Sequence, residues 1–253
     1  MNSEYFVFDG INSSELGVYL VNVESGLLTH KFLAEKEIIS ETIQGNDMPY
    51  VYGNTKRPLV INITLSTLDG KWTFEKRREL ARLLDVDYFA KFYRADEQSK
   101  IYYLQYIGGI DLTHNACENG YLTMQMQNIS AYTYSPVYIE TILHDGVTPE
   151  IYNFTNNGDA NLYPEMSITK IGDGDLSIVN LSNGGKEFKF TGLLDNEILT
   201  VDNLNHDIET DVPLTTRYDN FNNEYLELPR GVNRLEVSSP CEITFRYQFT
   251  IKG

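Results

Sequence analysis

Polar and apolar positions alternate most cleanly from Pro58 to Thr67. There PLVINITLST sets Leu59, Ile61, Ile63 and Leu65 on one side and Val60, Asn62, Thr64 and Ser66 on the other. A period of two with one mostly polar side is the pattern of a half-buried strand, and it predicts that the leucine and isoleucine side faces a core. Shorter runs rich in β-branched and aromatic residues, YFVF and LGVYLVNV, flank the turn signal Asp9-Gly10 and read as strands. So do YFAKFYRA, KIYYLQYIGGIDL and YLTMQMQNISAYTYS further on. Between them GKWTFEKRRELARLLDVD breaks the alternation. Phe74, Ala81 and Leu84 return to one helical face beside Leu80, while Lys76, Arg77, Arg78 and Arg82 point elsewhere. The spacing predicts one long helix, over about 72–85, laid against a β domain.

The rhythm changes after Tyr134-Ser135-Pro136. Turn-forming residues cluster in NFTNNGDANLYP, KIGDGDLS and LSNGGKEF, each followed by a short alternating run. Turns recurring every 8 to 12 residues are the mark of an all-β sandwich. The chain is therefore expected to be mainly β with two domains, 1–135 carrying the helix and 136–253 a sandwich. Near its end YLELPRGVNRLEV, residues 225–237, predicts a hairpin. Pro229 and Gly231 would shape the turn, with Leu226, Leu228, Leu235 and Val237 facing inward.

Composition sharpens this without changing it. Apolar residues make up 42% of the 253, and 18 Tyr with 12 Phe favour strands over helices. The net charge of −16 opposes binding to phosphate backbones and anionic lipid. It is unevenly spread, at 12 basic against 17 acidic side chains in residues 1–135 and 8 against 19 in 136–253. MNSEYFVFDG lacks a basic segment followed by an apolar one, and no run approaches eighteen apolar residues. Neither an export signal nor a membrane span is expected, and synthesis in a cytoplasm is. Cys117 and Cys241 lie far apart and are expected to be free thiols.

The search for chemistry yields no catalytic, metal or cofactor-binding residues. His30, His114, His144 and His206 are scattered without paired spacing, and no nucleophile elbow, phosphate loop or dinucleotide fingerprint occurs. Asp173-Gly174-Asp175 lacks the further ligands of a calcium loop and reads as a tight turn. Sugar binding in a sandwich would call for a stacking Trp beside polar side chains. The one Trp, Trp72, opens the helix, and Asn233 and Arg234 have no such companion. An interface is easier to see. Gln44 to Arg57 is rich in Gly and Asn and carries Met48, Tyr50, Tyr52 and Arg57, residue types enriched where subunits meet, in a stretch able to project as a hairpin arm.

The order of several weak motifs carries a resemblance. Asn157-Gly158, Tyr163-Pro164, Val201-Asp202 and Leu228-Pro229 with Gly231 and Asn233 follow one another in the second half, with Arg230 inserted between Pro and Gly. FVFDGINSSELGVYL, IQGNDMPYVYGNTKRPLVINITL and a helix from Trp72 ending in RLLD occupy the first. Across nearly its whole length the chain resembles the distal tail (Dit) proteins of siphophages that infect Gram-positive bacteria, that of a Bacillus subtilis siphophage among them. The resemblance implies a hexameric ring formed by the N-terminal domains, with a C-terminal galectin-like β-sandwich facing outward. It implies a place in the virion at the tail tip, where the ring joins the tail tube and tape-measure protein to the receptor-binding apparatus. Phage DNA would pass through the channel without being specifically bound. The alternative is a carbohydrate-binding module or glycan hydrolase of a phage tail tip.

Overall fold

The computed structural model describes residues 5–21, 33–115, 118–146 and 148–252. His30 and Cys117 lie outside them. By internal contacts the chain divides into two compact units, one running to Tyr134 and taking in Lys252, the other Ser135–Ile251. No helix among the described residues is long and apolar enough to cross a membrane.

The first unit contains strands β1 (Phe6–Phe8), β2 (Ile11–Asn12), β3 (Val18–Leu20), β4 (Lys36–Glu41), β5 (Tyr50–Lys56) and β6 (Val60–Thr67). Helix α1 (Phe74–Leu84) follows, then β7 (Ala90–Arg94), β8 (Glu97–His114), β9 (Gly120–Asn128) and β10 (Thr133–Tyr134). All but β4 and β5 belong to one antiparallel sheet ordered β2-β1-β7-β8-β9-β6-β3, with β10 beside β8 at Tyr134 and Ile101. The inward side chains of its strands gather with the helix into one cluster that includes Phe8, Val18, Leu65, Phe92, Leu104 and Met126. In β6 the expected alternation holds as far as Leu65, where Ile63 and Leu65 are buried, Ile61 packs against the same core and Asn62 is exposed, but Ser66, expected on the polar side, is buried too.

Helix α1 starts where Thr73 caps it, its hydroxyl accepting from the Lys76 amide at 3.4 Å. Its buried face agrees with the expected one at Leu80 and Leu84 and departs from it at Phe74 and Ala81. Leu80, Leu83 and Leu84 point into the core, whereas Phe74 is 64% exposed and Ala81 is exposed. The register is set by Trp72, just before the helix, whose ring is buried and whose indole Nε1 donates to the Gly120 carbonyl at 3.0 Å. With Trp72 filling the core at the helix entrance, Phe74 is turned outward.

The second unit is a sandwich. β11 (Tyr138–His144), β19 (Cys241–Tyr247), β13 (Glu165–Lys170), β16 (Ile198–Asp202) and β17 (Asp207–Thr210) form one sheet in that order. β12 (Glu150–Asn156), β18 (Gly231–Val237), β14 (Gly174–Asn180) and β15 (Lys186–Leu193) form the other. Phe154, Ile178, Phe188 and Leu235 of the second sheet and Met166, Val201, Ile243 and Phe245 of the first share one buried cluster. The expected hairpin at 225–237 is instead a corner. Gly231–Val237 pairs with β12 and β14, while Leu228 bridges Leu162 through two 2.9 Å backbone bonds. Gly231 sits at φ +99°, a backbone shape costly for a side chain, so the glycine allows the chain to leave the bridge and enter β18. Leu226, Leu228, Leu235 and Val237 are all buried, as expected, because period-two burial does not depend on which strand is the neighbour.

Candidate functional site

β4 and β5 pair only with each other, making a two-stranded ribbon apart from the main sheet. At its root the Arg57 amide donates to the Glu35 carbonyl at 2.9 Å, and Lys56 Nζ donates to the Tyr132 hydroxyl at 2.8 Å. The connecting loop turns at Gly45, φ +90°, and the Asn46 side chain accepts from the Met48 amide at 3.2 Å. Beyond the root, every side chain of both strands is exposed. Ile38, Ile39, Tyr50, Val51 and Tyr52 are each at least half open to solvent, and Met48 at the loop is 77% exposed. A lone two-stranded ribbon is at best marginally stable in water, and one with apolar side chains on both faces has no core of its own. The arrangement suits a surface that another molecule covers.

All four interface residues expected from sequence lie on this ribbon or at its root. Met48 is in the loop, and Tyr50 and Tyr52 are on β5. Tyr52 donates its hydroxyl to Glu41 at 3.2 Å, and Arg57 Nη2 bonds Glu37 at 2.9 Å, which raises the guanidinium pKa further. The sequence reading missed the other half of the arm, Lys36 to Glu41. KEIISE carries two adjacent isoleucines and no clean period, and the β-bulge that lets it pair lies on the other strand, where Tyr52 is the extra residue opposite Ile39 and Ser40. A cleft of about 230 Å³ at the root is lined by Ala34, Glu35, Arg57, Pro58, Leu59, Val60 and Gln127.

The places considered for other chemistry are occupied by structural bonds. The Asp173 and Asp175 carboxylates accept from the Asp195 and Gly192 amides at 2.8 and 3.1 Å, tying one turn to the next. Asn233 is buried, with Nδ2 donating to the Pro229 and Gly231 carbonyls and Oδ1 accepting from Asn180. Its amide holds the corner together, and the buried ring of Trp72 offers no face for a sugar. Among the described residues no three His, Cys, Asp or Glu side chains gather where a metal ion would sit. Cys241 is buried, and burial pushes its thiol up to about 11, which leaves it protonated and unreactive at neutral pH.

Residues 1–130 match the family of phage tail protein N-terminal domains, and residues 132–247 that of phage tail C-terminal domains. The chain belongs to this phage tail protein family. It is 31% identical over 250 residues to the SPbeta prophage-derived uncharacterized protein YomH of Bacillus subtilis (strain 168), covering 98% of this chain and 97% of that one. Its fold is that of a distal tail protein. The crystal structure of SPP1 Dit, a paradigm of the hub adsorption apparatus in phages infecting Gram-positive bacteria, matches with a TM-score of 0.73 at 16% identity, over 97% of this chain and 99% of that one. A chain of the phage P2 baseplate matches more loosely, with a TM-score of 0.50 at 9% identity, over 97% and 98%.

Proposed function

We propose that this tail protein is the structural hub at the distal end of a siphophage tail. Six copies form a ring through the first unit, and the ring joins the tail tube and tape-measure protein to the host-adsorption apparatus. The second unit, a galectin-like sandwich by its two-sheet form, faces outward and takes part in that attachment. The whole-chain likeness to the SPP1 hub, in a chain of the phage tail family, carries this reading. The exposed ribbon supports it, since its apolar faces suit a neighbouring subunit. A protein of this charge, −16 per copy, suits a channel that DNA crosses without sticking. The work is done by geometry and by repetition: a ring presents every outward site in several copies, so weak single contacts act together. No catalytic step is assigned to it.

Native mass spectrometry and negative-stain imaging of the purified chain test the proposal, with hexameric rings as the expected result. Replacing Tyr50 and Tyr52 together by Ser is expected to lower the assembled mass and leave the circular dichroism of the subunit unchanged. A wild-type chain that stays monomeric at every concentration would overturn the ring.

A further inference from the structure

Three Asn-Gly pairs occur in the chain, Asn119-Gly120, Asn157-Gly158 and Asn183-Gly184. In such a pair the glycine nitrogen can reach the carbonyl carbon of the asparagine side chain, because no Cβ obstructs the approach and the glycine backbone bends freely. The fold closes two of the three. The Gly120 amide donates to the Gly70 carbonyl at 3.3 Å, and a Cβ added at Gly120 would collide with the Thr113 carbonyl. Gly158 is buried, and its amide donates to the Asn156 side chain at 2.8 Å with the Thr250 backbone packed against it.

Asn183-Gly184 is open. It lies in the turn between β14 and β15, where Gly184 and Gly185 sit at φ +66° and +72° with free space around both. The Asn183 and Gly185 amides each donate to the Asn180 carbonyl at 3.1 Å, and no hydrogen bond among the described residues uses the Gly184 amide. The Asn183 side chain is half-buried, and its Nδ2 donates to the Glu227 carbonyl at 3.4 Å and carboxylate at 3.2 Å.

We propose that Asn183 is a site of spontaneous deamidation, the one of the three Asn-Gly pairs that reacts in the folded protein. The Gly184 nitrogen bonds to Asn183 Cγ and gives up its proton, the Cγ–Nδ2 bond breaks, and ammonia leaves as a five-membered imide closes. Solvent water then opens the imide at either carbonyl. The products are aspartate at 183 and its isomer, whose backbone runs through the side-chain carbons. Aspartate sets a second carboxylate against Glu227. It also removes one of the four donors, with Tyr163, Lys186 and Asn161, that hold the Glu227 carboxyl down at about 2. The isomer lengthens the backbone of the turn instead. Both products loosen the tie between the β14–β15 turn and the corner segment that carries Glu227.

Peptide mapping by mass spectrometry, on purified chain aged warm at mildly alkaline pH, reads the sites, and an isoaspartate methyltransferase labels the isomer. In the folded chain Asn183 is expected to convert at least about ten-fold faster than Asn119 or Asn157, whose glycine amides are freed only by local opening. In urea, with all three turns lost, that difference is expected to vanish. Asn183→Gln is expected to remove most of the isoaspartate label, and ageing should lower the melting temperature of the wild type more than that of the variant. Conversion of Asn119 or Asn157 first in the folded chain would overturn the assignment. So would an Asn183 that stays intact in the folded chain while it converts in urea, which would show that its bonds to Glu227 hold the side chain away from Gly184.

Discussion

Glu197 and Arg217 form the most enclosed ion pair of the second unit. Their side chains are almost fully buried, and Arg217 grips the carboxylate through Nε at 2.7 Å and Nη2 at 2.6 Å. The Leu194 amide and the Thr210 hydroxyl donate to the same carboxylate at 2.9 and 2.7 Å, so the pair ties the turn before β16 to the end of β17 and the segment beyond it. Burial alone would raise the pKa of Glu197, but Arg217 and the two further donors outweigh it and hold the group below the usual carboxylate range. A depressed pKa in the folded state means that the stabilisation is complete above the ordinary glutamate value and is lost as pH falls through the folded one. Glu197→Gln is expected to cost about 3–5 kcal/mol at neutral pH, because it leaves a buried guanidinium without its counter-charge. Thermal melts from neutral to acid pH should show the gap between variant and wild type narrowing as pH drops. A gap that stayed constant would show that Glu197 titrates alike in the folded and unfolded chain, and one that widened would show that folding raises its pKa. Nothing in the local sequence marks this pair, since its members stand 20 residues apart and meet only through the path of the chain.

At the scale of elements, the strands were largely legible and the helix face only in part, at Leu80 and Leu84 but not at Phe74 and Ala81. From Ile61 to Leu65 of β6 every second residue faces the core, so the pattern there is its own evidence. In α1 several faces contain apolar side chains, and the one that packs is chosen by what surrounds it. Trp72 makes that choice here, and it turns Leu80, Leu83 and Leu84 inward. Leu80→Ala is expected to destabilise the protein by about 2–5 kcal/mol through loss of buried volume. Phe74→Ala, at an exposed site, should stay within about 0.5 kcal/mol. Urea midpoints compare the two, and equal costs would return Phe74 to the packed face. The arm shows the same division. Tyr50 and Tyr52 drew attention by residue type alone, while Lys36 to Glu41 became visible only once β4 was seen to pair with β5 across the bulge.

At the scale of the molecule, each compact unit has its own buried cluster, so each is expected to fold independently. A fragment ending at Tyr134 is expected to assemble, while one spanning residues 135–251 should remain monomeric, both followed by light scattering. Assembly of the second fragment alone would move the ring interface out of the first unit. The more acidic half, beyond residue 135, then adds its charge without being needed for closure.

The amino-acid sequence by itself determined the mainly β class, the one helix, the change of rhythm near residue 135 and the inward positions of the strands. Each of these is written in the spacing of near neighbours, where side-chain direction follows directly from the backbone period. Only the tertiary structure decided that the segment at 225–237 is a corner rather than a hairpin, that Asn233 is consumed in holding it, and that an acid and an arginine 20 residues apart form a buried pair. It also decided that the arm stands apart from the main sheet. These features depend on which distant segments become neighbours, a choice made by the packing of the whole chain, and a local pattern of polar and apolar residues is compatible with more than one such choice.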